Sequence, residues 1–299
     1  MLEKGIAVIG STTIDKNIYD NKNQLKIGGV TTYSGITYRR HGIVTRIVTN
    51  VAEQDLPILD KLDHEQITIQ NGTTIHTTQF INIFSGDQRR QKLPTTASPI
   101  KAYQIEGILD ATGCVHLGPL HPMDIESDCI NLIEEAKLPV FLDVQGYTRR
   151  IEDAKVYTGV ANQIKASLKI SRIVKANDSE FESVLQYFDT DLANLLARYN
   201  IEEFIVTQGR KGGFVIDNKN SEVRFRAVPV QSSGDPTGAG DIFFAAYVVG
   251  RFMKKMDISN ACAYAAELTA LQISGNYITE DRLGLSAIGE SDKNAKNPN

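Results

Sequence analysis

Asp235-Pro236-Thr237-Gly238-Ala239-Gly240-Asp241, followed at once by Ile242-Phe243-Phe244-Ala245-Ala246-Tyr247-Val248-Val249, is the stretch on which the reading of this chain turns. Two glycines let a backbone approach a bulky ligand with no Cβ in the way. The run behind them is helix-length and apolar nearly all round, as a buried helix is. A glycine turn that opens a helix leaves several N–H groups unpaired at the positive end of the helix dipole. Such a turn is a seat for phosphate. Asp241 then places a carboxylate beside the anion that the turn would hold. That repulsion needs a reason, and the economical one is acceptance of a proton from a hydroxyl attacking the phosphate. The plainer reading is a helix start capped by Asp235 or Thr237, with Asp241 an ordinary first-turn acid.

Other glycine-rich readings fail on the residues. No Gly-Lys pair occurs anywhere in the chain, so a P-loop is excluded. A dinucleotide fingerprint needs a small residue at 243, where Phe243 stands, and an early strand–turn–helix unit. The 299 residues carry a formal charge of −4, with 41% hydrophobic and 23% charged residues. That balance points away from nucleic acid and from anionic membrane surfaces. Cys114, Cys129 and Cys262 are scattered without metal-ligand spacing and read as inert buried thiols. The residues after Met1 do not form a signal peptide, and no window is long and apolar enough to span a bilayer, so the expected compartment is the cytoplasm.

Apolar runs at 6–9, 47–49, 114–117, 140–144, 170–174 and 204–207 read as strands covered on both faces. Helical periods at 33–41, 53–62, 124–136, 179–186 and 190–199 alternate with them. The alternation predicts an α/β sandwich around a mainly parallel sheet, with ligands beyond the carboxyl ends of its strands. Asp15, Asp143, Asn177 and Thr207 all fall near such ends and should meet in one crevice. Residues 17–30 and 73–98 instead alternate polar with apolar and predict a small β lid. Residues 1–288 then form one domain, and 289–299 a polar, frayed tail. Unpaired strand edges on the lid favour a homodimer formed through it.

The heptad 235–241 resembles the second signature of the PfkB/ribokinase family of sugar and nucleoside kinases. Other pieces follow in that family's order: Gly10-Ser-Thr-Thr-Ile-Asp15, Gly28-Gly29 with His41-Gly42, Asn177-Asp-Ser-Glu180 and Thr207-Gln-Gly209-Arg-Lys-Gly212. The small-residue helix from Ala261 to Gly275 resembles the one beside the family's adenine pocket. The resemblance spans roughly residues 5 to 285. It implies a ribokinase-like three-layer α/β/α fold with a β lid, and transfer of the γ-phosphoryl group of ATP to a substrate hydroxyl.

On that resemblance Asp241 is the general base, and Gly238, Ala239 and Gly240 supply amides to the moving phosphoryl group. Asp15, Gly28, Gly29 and Tyr33 stand on the acceptor side, since a carboxylate accepts two hydroxyls of a diol at once. Asn177, Thr207, Gly209, Gly212 and Thr237 fall at the nucleotide. Glu180, with Asn177, is associated with Mg2+, acting through water. As plain residues, Asn177 and Glu180 equally form a helix cap. Because several family members are potassium-activated, the resemblance also allows Asp235 and Thr237 to hold a monovalent cation, with helix capping the plainer role. Arg89, Arg90 and Lys92 form a basic cluster on the lid, a solvated tip unless the acceptor already carries a phosphate. Tyr33 stands where many sugar and nucleoside kinases have asparagine, which counts against ribokinase activity itself. Two competing readings are an idle nucleotide- or sugar-binding sensor and a kinase of a hydroxymethyl heterocycle. Retention of Asp241 with Asn177 and Glu180 counts against the first, and the lid against the second.

Overall fold

The protein is described by a computed structural model covering residues 4–19, 22–85, 88–230 and 235–285. The tail expected at 289–299 lies outside these residues. In chain order the strands are β1 (Ile6–Gly10), β2 (Thr13–Tyr19), β3 (Lys22–Gly28), β4 (Thr45–Thr49), β5 (Thr68–Asn71), β6 (Thr78–Ser85) and β7 (Gln88–Thr95). They continue with β8 (Cys114–Gly118), β9 (Val140–Asp143), β10 (Arg149–Glu152), β11 (Lys155–Thr158), β12 (Ser171–Asn177), β13 (Glu203–Thr207), β14 (Gly213–Asp217) and β15 (Glu222–Phe225). The helices are α1 (Val30–Arg40), α2 (Pro57–Asp63), α3 (Ala102–Leu109), α4 (Ser127–Ala136), α5 (Ile164–Ile170), α6 (Asp178–Phe188), α7 (Leu192–Tyr199), α8 (Ala239–Val248), α9 (Ile258–Ile273) and α10 (Glu280–Leu283).

Nine strands form the central sheet in the order β15-β14-β13-β12-β9-β8-β1-β4-β5. All neighbours from β13 to β5 run parallel, and β14 and β15 are added antiparallel. Strand alternation divides the apolar residues between two cores. Ile6, Val8, Phe141 and Ile205 pack against α1, α2, α8 and α9. Ala7, Ile9, Leu142 and Val206 pack against α3 to α7 on the other face. Because both faces are covered, the strands read as continuous apolar runs. The three cysteines are buried and unpaired, and burial pushes the Cys114 thiol up to about 12.

A second sheet of six strands, β10-β11-β7-β6-β2-β3, stands beside the first. Its strands take in the two segments expected to form a lid, with shifted bounds: β2 starts at Thr13, and Val30 already belongs to α1. The β10–β11 hairpin extends it and was not expected, because its short, charged strands bury little on either face. The outer edge of β3 is partly covered, through a Lys26–Gly284 bridge and a hydrogen bond from the Leu285 amide to the Leu25 carbonyl. The helix expected over 53–62 divides into a 3-10 turn at Glu53–Asp55 and α2, since Pro57 is suited to open a helix and not to continue one. Helices α3 and α5 were also missed.

Helix α8, which carries the diagnostic heptad's last residues, is tied to the sheet by a polar anchor. Buried Glu203 on β13 accepts the Tyr247 hydroxyl at 2.6 Å and the Arg251 Nε at 3.0 Å. Removing one partner of such a pair strands the other in a poorly solvated site. Glu203→Ala should therefore cost about 3 kcal/mol in a urea unfolding titration, the lower end of that class because Arg251 is partly exposed.

Candidate active site

A cavity of about 1090 Å³ is lined from both sheets and from the start of α8. Its floor is the heptad. Gly238 takes the left-handed conformation (φ 76°) in a turn closed by the Ala239 amide on the Pro236 carbonyl at 3.1 Å. A Cβ at 238 would also lie 2.4 Å from the Tyr33 ring, so glycine is required on two counts. Asp235 holds the turn in place. One of its oxygens accepts the Thr237 amide at 2.9 Å and hydroxyl at 2.6 Å. The other accepts the Lys26 ammonium at 2.9 Å and the Asn17 amide at 3.3 Å.

Three expectations are corrected here. The Ala239 amide closes the turn and is not free for a ligand. The donors left without a partner among the described residues are the amides of Gly238, Gly240 and Asp241, the first helical bond being Ile242 to the Gly238 carbonyl. The Thr237 hydroxyl is turned onto Asp235, so Thr237 shapes the turn where a nucleotide contact was expected. A free monovalent cation does not fit at Asp235 either: both its oxygens already carry donors, and Lys26 brings the positive charge. Burial alone would lower the Lys26 pKa, but Glu280 and Asp235 outweigh it and hold it raised.

Asp241 lies at the cavity wall, where Oδ1 accepts from Gln145 Nε2 at 3.2 Å. Withdrawal from water, together with the nearby charge of Asp143, raises its pKa to about 7. Asp143 itself is fully buried and bound to Lys175 Nζ at 2.8 Å. It stands behind the cavity, not on its wall. The Lys175 ammonium reaches the wall instead, where a Cβ on Gly240 would approach it to 3.0 Å. Burial works against charge on Lys175, yet Asp143, Glu180 and Asp241 together raise its pKa. A cation is thus fixed beneath the free amides. Arg149 continues the chain of contacts, donating to Gln145 Oε1 at 3.2 Å and to the Leu120 carbonyl at 2.7 Å.

Asn177 and Glu180 form a reciprocal cap at the start of α6, with the Glu180 amide on Asn177 Oδ1 and the Asn177 amide on Glu180 Oε2. Both residues line the cavity as well, so the two sequence readings coexist. Glu180 Oε1 has no protein donor among the described residues. Burial raises the Glu180 pKa against the pull of Lys175. Thr207 and Gly209 are at the rim, and a Cβ on Gly209 would meet open space. Gly212 is elsewhere: it closes the turn into β14, where a Cβ would strike the Phe225 carbonyl at 2.1 Å.

On the opposite wall Asp15 projects from β2, held by the Thr13 hydroxyl at 2.7 Å. It belongs to the second sheet, not to the end of a central strand as the sequence reading had it. Gly28 does not line the cavity; it clears space for the Asp15 carboxylate, which a Cβ would meet at 2.5 Å. Gly29 caps α1 and reaches the cavity beside Tyr33. Tyr33, nearly fully buried, serves as the shelf under Gly238. The sequence reading missed Lys175, Gln145 and Arg149. Lys175 had a signal, as a lone cation inside the apolar strand Ile-Val-Lys-Ala. The other two had none.

Sheet order and layering define a ribokinase-type α/β/α fold. Solved structures agree: a pyrophosphate-dependent kinase in the ribokinase family superposes with a TM-score of 0.79 at 24% identity, covering 90% of this chain and 95% of that one. Ribokinase from Thermotoga maritima gives 0.72 at 16% identity over 93% and 97% of the two chains. A cytidine kinase of Thermococcus kodakarensis is 25% identical over 255 residues, which are 82% of this chain and 87% of the relative. Residues 60–281 match the pfkB family carbohydrate kinase description. The chain belongs to that family and is a kinase.

A carboxylate whose folded pKa stands above its unfolded value binds protons more tightly when folded. It favours the fold at low pH, and that contribution is lost as pH rises through about 7. Asp241→Asn should therefore melt a few degrees above the wild type at pH 8, a gap that closes toward pH 5 in scanning calorimetry.

Proposed function

We propose that this kinase transfers the γ-phosphoryl group of ATP to a hydroxyl of a sugar, polyol or nucleoside, with Asp241 as general base. One observation carries the reading. A desolvated carboxylate, the unpartnered amides of Gly238, Gly240 and Asp241, and the fixed ammonium of Lys175 all line one cavity. The acceptor hydroxyl gives its proton to Asp241 as its oxygen bonds to phosphorus and the γ-phosphorus–bridging-oxygen bond breaks, releasing ADP. A base poised near neutrality balances proton affinity against availability. The amides and Lys175 meet the charge on the transferring group, where positioning and electrostatics do most of the catalysis. Asp15 and its glycine-cleared surroundings orient the acceptor.

Magnesium, when bound, neutralises charge on the donor phosphates. The donor set fits an outer-sphere role: Glu180 Oε1 is free to hold a metal-bound water, while Asn177 Oδ1 is engaged by the Glu180 amide and the Ser179 hydroxyl. Thr207 and Gly209, at the open rim, border the nucleotide.

Asp241→Asn should lower kcat by roughly two to four powers of ten while ATP still binds, measured by acceptor-dependent ADP release and by calorimetric titration. Equal loss of both would assign Asp241 a structural role. In the same assay, run over a panel of sugars, polyols, nucleosides and hydroxymethyl heterocycles, ATP binding without turnover would favour the idle sensor. Since Lys26 already balances Asp235, rates in KCl and NaCl of equal ionic strength should agree. A strong preference for potassium would show that a second cation is needed.

A further inference from the structure

A carboxylate has two equivalent oxygens, and a base presents one of them to the group it deprotonates. In Asp241 the two are already distinguished. Oδ1 accepts from Gln145 Nε2 at 3.2 Å, while Oδ2 has no protein donor among the described residues. The Gln145 amide, in turn, has one orientation open to it. Its Oε1 accepts from Arg149 Nη2 at 3.2 Å. A guanidinium offers only donors, and an ionised carboxylate only acceptors. Turning the amide over would oppose donor to donor at Arg149 and acceptor to acceptor at Asp241. The network therefore decides which end of Gln145 meets the carboxylate.

Both residues are braced from behind. Gln145 lies in the 3-10 turn Val144–Gly146, where its backbone amide donates to Asp143 Oδ1 at 3.1 Å. The turn is pressed against the next segment, since a Cβ on Gly146 would lie 2.3 Å from the Pro119 carbonyl oxygen. Arg149 donates to the Leu120 carbonyl at 2.7 Å, and its guanidinium lies 5.1 Å from the centroid of the Phe80 ring. Gln145, Arg149, Leu120 and Phe80 all line the cavity with Asp241. Packing and outer hydrogen bonds of this kind hold a functional group in one geometry.

The charges acting on Asp241 come from Asp143 on β9, Lys175 on β12 and Arg149 on β10. Glu180 on α6 bears on Lys175, and Ser34 on α1, uncharged, donates to the Asp241 backbone carbonyl at 3.2 Å. Burial raises the Asp241 pKa most and Asp143 adds to it, while Lys175, the Gln145 hydrogen bond and Arg149 act against them. A donor to the ionised form keeps the base available for a proton.

We propose that Gln145 is a positioning residue for the base: held in one orientation by Arg149, its amide occupies Oδ1 of Asp241 and leaves Oδ2 to take the acceptor's proton. Only the last clause rests on the kinase reading above. Once the proton is on Oδ2, Oδ1 still accepts from Gln145, so the amide need not move during transfer.

The test is Gln145→Met, which keeps the length of the side chain and removes its donor. The first readout needs no turnover: a pH titration of the carboxyl resonances in protein labelled with carbon-13 at aspartate, with Asp241 assigned by its loss in Asp241→Asn. The wild-type midpoint of about 7 should rise by about one pH unit, the size of a hydrogen bond to a charged group. Arg149→Met leaves Gln145 in place and should raise the midpoint too. It also keeps the test open should Gln145→Met not fold. An unchanged or lower midpoint overturns the proposal and leaves the kinase standing. With a working acceptor, Gln145→Met should lower kcat at pH 7 about tenfold, with both KM values within about twofold of the wild type. The acid limb of the kcat profile should move up with the midpoint. A KM that rises as much as kcat falls, or an unmoved acid limb, overturns the assignment. Arg149→Met should cost less in the Gln145→Met background than in the wild type, and equal cost in both overturns the clamp. If no acceptor is turned over, the kinase reading fails separately, and the carboxyl titration alone decides whether Oδ1 is pinned.

Discussion

The buried pair between Lys175 and Asp143 is the constraint on which the rest of the site depends. It joins neighbouring strands β12 and β9 at aligned positions, and neither charge is easily reached by water. Such a pair adds little to stability by itself, because desolvation cancels most of the attraction. Its value lies in what the two charges do to their surroundings. The ammonium sits beside Gly240, and the carboxylate keeps a negative charge close to Asp241. One puts positive charge beside the glycine turn; the other raises the proton affinity of the carboxylate next to it.

A second internal cation serves the turn itself. Lys26 comes from the second sheet, crosses to Asp235 and so connects that sheet to the glycine turn. Asn17 makes the same crossing from the adjacent strand. Tyr33 adds an apolar contact from α1 beneath Gly238. The seat is therefore gripped from elements that are distant in sequence, as a preorganised site needs to be.

Much of this was legible beforehand, and the reasons are physical. Apolar runs such as Ile6–Ile9 and Phe204–Thr207 announced strands because both faces of the central sheet are covered. The heptad was legible because a glycine turn, an apolar helix and a first-turn acid seldom coincide without an anion to hold. What escaped depended on contacts between distant segments. That Ala239 would spend its amide on the turn follows from the conformation of Gly238, which the letters alone leave open. Thr237 and Gly28 were assigned to ligands because their true neighbours, Asp235 and Asp15, could not be seen to face them. The β10–β11 hairpin escaped because four-residue charged strands carry almost no periodic signal, and Arg149, its first residue, went with it.

Only Ser11 and Thr12 separate β1 from β2, and both are pinned. The Thr12 amide bonds to Thr49, the Ser11 hydroxyl to Asp124, and Gly29 lies hard against the Ser11 carbonyl. With so short and stiff a joint between the two sheets, the gap from Asp15 to Asp241 is a gauge cut into the backbone itself.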